Sequence, residues 1–505
     1  MSRRGLCVWL CLCVLWASLP AFAQEGGTYA PLLAGFDGTN TGRAWETNAF
    51  FQRMAEKTGL YFRFQQYMTA ADWEKAKEAM QPGGELPDAL FKANLSRTQE
   101  QALFDRGVLI DLMPYLKDNC PHLWQILEDH PDYLEEITLP GGQIVSLPYI
   151  STAPAQNAMW INKTWLSRLK LSAPEDRETL EQVLRAFKTR DPNQNGRQDE
   201  IPLAFLGPFD LKFLAHMFGL VFNDYNLFLD ETGEARFAPL EPGYEDFVRW
   251  CADMYREGIL DPDGFYLNDA LRQVTSTSQA QTYGILLTTD TTNLFPAEWA
   301  KDYEILLPMR FEGERKYRSL TGHVYQGTFA LTANCGEPEK LLQWADVLYT
   351  PEGARLMAVG RENEDYVVDG DGTWRVLESA RNNSSFVAQT LIVDGTTPPG
   401  ISADEFELSY SEKYLTDMIR QRYALDEYCV RPFPQVALSA QQKSRVAELQ
   451  NEIGYLVDTQ LARWVSGEEQ LTDGAFDGFR ERLEEKGLQE FLAIWQEALE
   501  KAGRR

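Results

Sequence analysis

Short apolar runs alternate with amphipathic stretches along most of the chain, and this alternation restricts the fold more than any other feature. Near the start, strand-like runs lie at residues 31–36, 59–64 and 86–91, and helix-like stretches lie at residues 45–56, 72–80 and 97–109. Strands separated by helices of this length are typical of βαβ units. The sequence therefore predicts an α/β fold built on an open sheet.

The chain is too long for a single core. Domains rarely exceed about 250–300 residues around one core, whereas this chain has 505 residues, so we expect two or more lobes. A turn at 140–143 leads into strand-like runs at 144–149 and 158–161, where we place a crossing between lobes. An amphipathic helix follows, because Leu180, Val183, Leu184 and Phe187 recur at helical spacing.

Two later helices carry start signals. Thr350 places a capping hydroxyl before Pro351, and Ser439 with Gln442 fits a capping box. Two helical segments, at 476–485 and 488–502, end the chain. Asp369-Gly370-Asp371-Gly372 lies between two β-rich runs, so we interpret it as a hairpin turn and not as a metal site.

The first residues resemble a secretory signal. Arg3 and Arg4 precede an apolar run that ends at Leu19, and the small residues of Ala21-Phe22-Ala23 suit cleavage. The run is shorter than the roughly twenty residues of a membrane-spanning helix. We therefore expect residues 1–23 to be removed and the mature chain to be secreted, in the periplasm or outside the cell.

The charge of the chain argues against nucleic acid as a partner. The formal net charge is -27, and losing the two arginines and no acids of residues 1–23 takes it to -29. Such a surface repels phosphate backbones and has no basic stripe to offset the repulsion.

The cysteines give no metal or redox motif. Three of the seven fall in the signal, and the mature chain keeps Cys120, Cys251, Cys335 and Cys429. None of these forms a C-x-x-C pair, so zinc-knuckle and thioredoxin chemistry are unsupported. An exported protein can hold one or two disulfides, but the sequence does not pair them.

Residues 191–200, DPNQNGRQDE, carry oxygen ligands at the spacing of a calcium loop. The candidate ligands are Asp191, Asn193, Asn195, Arg197 through its carbonyl, Asp199 and Glu200. Gly196 provides the sharp turn, and hard cations prefer such oxygen sets. The twelfth position, which in an EF-hand holds a bidentate Glu, is Pro202. We therefore predict a structural calcium ion and not a calcium sensor; the alternative is a polar turn between a helix and a strand.

No catalytic signature appears in the sequence. The four histidines, at positions 122, 130, 216 and 323, form no metal motif, and no G-x-S-x-G elbow is present. A glycosidase needs only two carboxylates and leaves no short motif. With 75 acidic residues in the chain, a suitably spaced pair arises by chance, so this class has no specific support.

The order of several segments resembles the extracellular solute-binding proteins of bacterial ABC importers, in the oligosaccharide-type branch with a calcium loop (family 1). The segments are LPDALF (86–91), IVSLPY (144–149), MWINKTWLSRL (159–169), DPNQNGRQDEIPL (191–203), residues 330–357, and the helical tail from Ser439. The resemblance covers nearly the whole mature chain and implies a type II periplasmic-binding-protein fold. In that fold two α/β lobes close about hinge crossings.

The resemblance also implies where the lobes divide. The first lobe is expected at 24–150 plus about 326–380, and the second at 151–325 plus about 381–505, with the calcium loop in the second. Many relatives carry a lipid-modified cysteine at the signal boundary, but Gln24 follows Ala23 here. We therefore expect a freely released protein that meets the membrane only through its transporter.

Sugar sites combine aromatic platforms with amide and carboxylate groups, and they lie in the cleft between lobes. At strand ends and near the crossings, the candidate ligand-binding residues are Asp37, Asn40, Lys92, Asn94, Tyr149, Trp160, Phe209 and Tyr325. Trp160 and Phe209 are equally consistent with core positions, since large aromatics are mostly buried. Asp37 and Asn40 are also consistent with a turn.

The leading hypothesis is a monomeric, non-enzymatic binding protein that delivers an oligosaccharide to ABC importer permeases. The alternatives are a secreted carbohydrate-active enzyme and a peptide-binding protein of the same fold.

Overall fold

The computed structural model describes residues 29–39, 41–154, 157–265, 281–319 and 322–503. The predicted signal at 1–23 and the predicted ligand residue Asn40 lie outside these residues. Within them, two main sheets, one of six strands and one of four, carry helices on their faces and define two lobes. The predicted two-lobed α/β fold is confirmed.

The first lobe is built on the six-stranded sheet. In spatial order its strands are Gly400–Ile401, Leu147–Ile150, Val324–Leu331, Ala89–Phe91, Leu32–Phe36 and Arg63–Tyr67. The three strands nearest the N-terminus pair in parallel, as βαβ units do. Val324–Leu331 runs antiparallel to both of its neighbours, so a late segment of the chain lies in the middle of this sheet.

The second lobe is built on the four-stranded sheet. Its strands, in spatial order, are Tyr303–Leu306, Ala158–Asn162, Tyr283–Thr288 and Ile201–Ala204. Three smaller two-stranded pairs are Leu227–Leu229 with Ala235–Phe237, Tyr317–Arg318 with Cys429–Val430, and Tyr366–Val368 with Trp374–Val376.

Helices cover both sheets. Those around the first sheet are Ala49–Thr58, Ala70–Ala79, Arg97–Asp105, Met113–Asn119, Pro121–Asp129, Pro131–Ile137, Pro338–Asp346, Pro351–Ala358, Glu378–Arg381 and Phe386–Thr390. Those that follow the crossing into the second lobe are Lys163–Leu169, Arg177–Thr189, Gly207–Lys212, Pro242–Arg256 and Ala297–Ala300. The late helices are Asp404–Glu407, Lys413–Asp426, Ala440–Ser466, Ala475–Glu485 and Leu488–Lys501. Short 3-10 turns are Phe213–Phe218, Ala238–Leu240, Thr291–Asn293 and Val347–Tyr349.

The three C-terminal helices belong to the second lobe. The buried face of Ala440–Ser466 carries the predicted Val446, Leu449, Ile453, Val457 and Leu461, and it packs with the helix Pro242–Arg256. The same core contains Phe479, Phe491 and Trp464. None of the described helices is both long and apolar enough to cross a bilayer.

The predicted local signals form as expected. The Thr350 hydroxyl accepts a hydrogen bond from the Gly353 amide at 3.0 Å. Ser439 and Gln442 form both bonds of the capping box. In the turn at 369–372, the Gly372 amide donates to the Asp369 carbonyl at 3.0 Å between two paired strands.

Over the described residues, the chain passes between the lobes three times. The crossings are the described parts of 151–157 and of 307–323, and the region after Ile401. The last crossing comes later than the predicted return near residue 380, because Gly400 pairs with Tyr149 on the first sheet. Ile392 also packs in the first-lobe core. The remaining lobe boundaries stay predictions.

Candidate functional site

One edge of the first sheet faces the crossings and gathers five of the predicted ligand residues. Parallel strands end at the same edge, and an antiparallel neighbour starts there. Asp37 and Lys92 therefore follow the ends of two parallel strands, while Tyr325 begins the antiparallel strand beside Tyr149. Asn94 follows two residues after Lys92.

Asp37 and Lys92 form a buried ionic cluster below this edge. The Lys92 ammonium binds the Asp37 carboxylate, and it donates to the Asp394 carbonyl at 2.7 Å. Arg43 donates to Asp37 at 2.6 Å and also pairs with Asp394. Burial lowers the pKa of Lys92 to about 8, although the Asp37 charge opposes that shift. Since these groups already have partners and Lys92 is fully buried, we assign them to shaping the edge and not to ligand contact.

A bulge in the strand Val324–Leu331 lets this strand approach the segment that contains Asn94 and Leu95 closely. The register with the neighbouring strand shifts between Tyr325 and Phe329. There, the Gly327 carbonyl accepts a hydrogen bond from the Leu95 amide at 3.0 Å. Gly327 has a φ of +73°, and a Cβ atom would lie 2.1 Å from the Leu95 carbonyl oxygen. Only glycine allows this close approach.

Tyr149 and Tyr325 form an aromatic pair at the same edge. Their ring centroids are 6.0 Å apart and the rings meet edge to face. Both side chains are half-buried. The pair can therefore present apolar surface to a bound molecule while remaining fixed by the sheet.

A cavity of about 720 Å³ opens between the lobes beside Tyr325. Its first-lobe lining is Asn94, Leu95, Ser96, Arg97, Thr98, Gln99, Glu74, Val324, Tyr325, Gln326, Thr328 and Thr397. The remaining lining is Asn223, Tyr225, Phe433, Pro434, Gln435, Val436, Lys443 and Trp495. Of the predicted ligand residues, Asn94 and Tyr325 line this interlobe cavity.

An aromatic wall, made of Tyr225, Phe433 and Trp495, closes the second-lobe side of the cavity. The Trp495 ring lies 5.0 Å from Tyr225 and 5.6 Å from Phe433. Sequence reasoning missed this wall, because its members come from three distant segments. The only local signal was the pair of prolines around Phe433. Together with the lining amides and hydroxyls, the wall suits a ligand that has both apolar faces and hydroxyl groups.

Trp160 lies in the second-lobe core and not in the cleft. It is 1% exposed, and its indole nitrogen donates to the Thr288 carbonyl at 2.8 Å. Its strand, Ala158–Asn162, is buried at every position because sheet and helices cover both faces. The prediction that Trp160 contacts the ligand is therefore wrong.

Phe209 lies at the second-lobe edge but does not line the interlobe cavity. It is 43% exposed, in the short helix Gly207–Lys212. Its ring packs against Phe213 at 5.4 Å, and the Arg318 guanidinium lies 5.5 Å from it. Phe209 therefore contributes nothing to the lining of this cavity.

The predicted calcium loop forms a tight polar turn. The two Asp191 carboxylate oxygens accept hydrogen bonds from the Asn195 and Gly196 amides, both at 3.1 Å. The Asn193 side-chain oxygen accepts from the Asn195 amide at 3.0 Å, and the Asn195 oxygen accepts from the Arg197 amide at 2.8 Å. Each of these oxygens keeps a second lone pair. The backbone therefore fixes the side-chain oxygens without using up their capacity as ligands.

The surroundings of the Glu200 carboxylate indicate whether the loop fits a cation. The residue is 1% exposed, and both carboxylate oxygens are buried without a hydrogen-bond partner. Burial raises its pKa, and the charges of Asp191 and Asp199 raise it further. An unpartnered buried carboxylate beside two others is costly unless a cation compensates it. The residues present fit a divalent cation.

The candidate ligands of the loop at 191–200 include amide and main-chain oxygens as well as carboxylates. In the described ranges, no group of three or more His, Cys, Asp and Glu side chains is arranged to hold a metal. The amide groups of Asn193 and Asn195 donate to the Asp199 carboxylate at 3.0–3.1 Å. A cation would therefore depend on amide and main-chain oxygens as well as on carboxylates.

The cysteines of the described chain are unpaired. Cys120 and Cys251 are buried, and Cys335 and Cys429 are partly buried. Burial raises the pKa of Cys429 to about 12, so its thiol stays protonated at neutral pH. The disulfides that the compartment allows do not form among these four residues.

The chain is similar to an ABC transporter substrate-binding protein along most of its length. It is 25% identical over 474 residues to the fructooligosaccharide ABC transporter substrate-binding protein FusA of Streptococcus pneumoniae serotype 4, covering 88% of this chain and 85% of the relative. No protein-family profile matches it.

Solved structures of similar proteins also span both lobes. An HMO-binding, ABC-transporter-associated solute-binding protein of Bifidobacterium longum infantis matches with a TM-score of 0.74 at 19% identity, over 94% of this chain and 100% of that chain. An EF-hand mutant of S. pneumoniae FusA in complex with fructo-nystose matches with a TM-score of 0.66 at 22% identity, over 94% of this chain and 99% of that chain.

Proposed function

We propose that this chain is a solute-binding protein of an ABC importer and that it captures an oligosaccharide in the interlobe cavity by closure of its two lobes. The observation that carries the proposal is the cavity itself. It lies between two α/β lobes at the edge where the parallel strands end, and its lining alternates aromatic rings with amides and hydroxyls. The relative FusA is named for fructooligosaccharides.

The aromatic and the polar residues of the cavity complement a sugar chain in different ways. The aromatic wall and Tyr325 offer faces on which the apolar side of a sugar ring can stack. Asn94, Gln326 and Asn223 offer donors and acceptors for hydroxyl groups. Because each set includes residues of both lobes, a ligand that contacts them across the cavity favours the closed arrangement.

The protein acts without chemically changing its ligand. It works outside the cytoplasm as a monomer and passes the sugar to the permease subunits of an importer. What supports this proposal is that its relatives are named as transporter substrate-binding proteins and not as enzymes.

A calcium ion stabilises the second lobe. The residues that would hold it are the six predicted ones, Asp191, Asn193, Asn195, Arg197, Asp199 and Glu200. When bound, the ion supplies the positive charge that the buried Glu200 carboxylate lacks. The similarity to a protein whose structure is described as an EF-hand mutant supports an ion at such a loop.

Isothermal titration calorimetry tests the proposed ligand. Nystose and a panel of other oligosaccharides are titrated into the full chain, with a peptide panel alongside. At least one sugar should bind, raise the melting temperature, and be recovered intact by chromatography after prolonged incubation. Turnover of a sugar would favour the glycosidase, and binding of peptides alone would favour the peptide-binding alternative.

A further inference from the structure

The buried His216 and the half-buried His323 differ in what surrounds their rings. His216 accepts a hydrogen bond on Nε2 from the Met309 amide at 3.0 Å, and its Nδ1 lies 2.7 Å from the Phe213 carbonyl. One ring nitrogen thus faces a donor and the other an acceptor, which fits the neutral ring. Burial lowers the pKa of His216 to about 4, in agreement with that state.

His323 instead faces an acceptor at each ring nitrogen. Its Nδ1 lies 2.7 Å from the Ser151 carbonyl oxygen, and its Nε2 lies 2.8 Å from an Asp426 carboxylate oxygen. A carbonyl oxygen and an ionised carboxylate both accept, so both contacts are hydrogen bonds only when each ring nitrogen carries a proton. The geometry therefore favours the imidazolium form.

Two of the three residues lie in crossings between the lobes, and the third lies on a helix of the second lobe. Ser151 begins the first crossing, His323 ends the second, and Asp426 ends the helix Lys413–Asp426, which packs on the second-lobe strand Tyr303–Leu306. The main chain reinforces the first of these contacts, because the Ser151 amide donates to the His323 carbonyl at 2.8 Å. A single imidazolium therefore joins the first two crossings to a helix of the second lobe.

We propose that His323 is a protonation-dependent latch that holds the first two crossings to the second-lobe helix Lys413–Asp426 and stiffens the hinge between the lobes. When the ring loses a proton, one of its nitrogens becomes an acceptor facing another acceptor. Either the link to Ser151 or the link to Asp426 is then lost, and the lobes sample a wider range of angles.

Other ionisable groups around the ring favour the charged form. Asp132 and Tyr133 approach from the helix Pro131–Ile137, and the Tyr133 ring stacks 5.7 Å from the imidazole. Burial and the surrounding carboxylates raise the pKa of Tyr133 to about 12, so it stays neutral. Farther along that helix, Glu136 is neutralised by its pairing with Arg431.

The sign of the pH effect follows from these contacts. Burial alone would lower the pKa of His323, but the hydrogen bonds to Asp426 and Ser151 outweigh it and raise the pKa above 6.5. A raised pKa in the folded state means that the latch stabilises fully below pH 6.5 and is lost as the pH rises through the raised value.

The first test is an NMR titration of the histidine rings in the ligand-free protein, with His323 assigned by the variant His323→Gln. The His323 ring should titrate above 6.5, and in Asp426→Asn its pKa should fall. A ring that titrates at or below 6.5, or one unaffected by Asp426→Asn, would refute the latch. This measurement needs no sugar, so its result does not depend on the proposed function. The inference rests on the proposed function in one respect, that the two lobes move about these crossings.

The second test is small-angle X-ray scattering of the ligand-free protein between pH 6 and pH 9. The radius of gyration of the wild type should increase with pH, and that of His323→Gln should change much less. Burial raises the pKa of Glu407 to about 7, so this group titrates in the same range, but the variant leaves it unchanged. The matched control is His122→Gln, because His122 also contacts an aspartate, Asp346, but within the first lobe. An equal response in wild type and His323→Gln would overturn the proposal.

Discussion

The calcium-type loop and the interlobe cavity are both polar sites, but they are assembled in opposite ways. The loop takes its six candidate ligands from ten consecutive residues, 191–200. The cavity takes its lining from segments as distant as Asn94 and Trp495. A spacing pattern can reveal a site only when a single turn of the backbone builds it. Substitutions in the core, in the loop and in the cavity test this difference between the two sites.

The largest effect is expected for Trp160→Ala. Deleting a buried tryptophan leaves a cavity and removes its bond to Thr288, which should cost about 3–5 kcal/mol of unfolding free energy. Sugar affinity of the folded protein should be unchanged, as measured by denaturant unfolding and calorimetry. Phe209→Ala, at an exposed position, is the control and should cost far less. If Trp160→Ala weakened sugar binding but left the unfolding free energy unchanged, Trp160 would have to lie in the cleft.

The second effect concerns Glu200→Gln in the loop. Calcium at one hundred times its Kd should stabilise the wild type by about 2.7 kcal/mol, and the variant should lose most of this gain. In chelator, the variant should melt at or above the wild type, because it lacks the unpartnered buried charge. Differential scanning calorimetry measures both. The control is Asp371→Asn, in the hairpin turn, which should respond to calcium as the wild type does.

A smaller effect is expected for Tyr325→Ala at the cavity. Losing the ring at the sheet edge should weaken sugar binding about tenfold, or ~1.4 kcal/mol, with little change in melting temperature. Tyr455→Ala serves as the control, because Tyr455 is 73% exposed on the helix Ala440–Ser466 and does not line the interlobe cavity. Unchanged affinity in Tyr325→Ala would move the site away from this cavity.

The smallest effect is the pH dependence of the calcium-free loop. Burial and the charges of Asp191 and Asp199 raise the pKa of Glu200 above 4.5 in the folded protein. The folded state then binds more protons than the unfolded state, so stability falls as the pH rises from 4.5 through the raised value. Chelator-treated wild type should show this loss relative to Glu200→Gln. Parallel pH profiles for the two proteins would contradict the assigned charge state.

Much of the secondary structure was predictable because its causes are local. The capping bonds at Thr350 and Ser439 join residues three apart, and the turn at 369–372 closes within four residues. Helical spacing marked the buried face of Ala440–Ser466. The predicted helix at 45–56 begins later, at Ala49, because Asn48 caps it through the Phe50 amide.

The candidate cleft was predictable only on its first-lobe side. In a sheet with this strand order, Tyr149 lies near the end of its strand and Tyr325 near the start of the antiparallel neighbour, so both lie at the same edge. Neither the burial of Trp160 nor the partnering of Lys92 with Asp37 can be read from neighbouring residues. Both depend on which elements cover a strand, and periodicity does not distinguish a fully covered strand from one that faces a cleft.

The residues alone thus specified the alternating α/β pattern, the helix starts and the polar loop at 191–200, since each depends on hydrogen bonds and burial within a few residues. The aromatic wall, the buried state of Glu200 and the ring contacts of His323 arose only when distant segments packed together. Their energies come from desolvation and from partners hundreds of residues away, so no short stretch of sequence contains them.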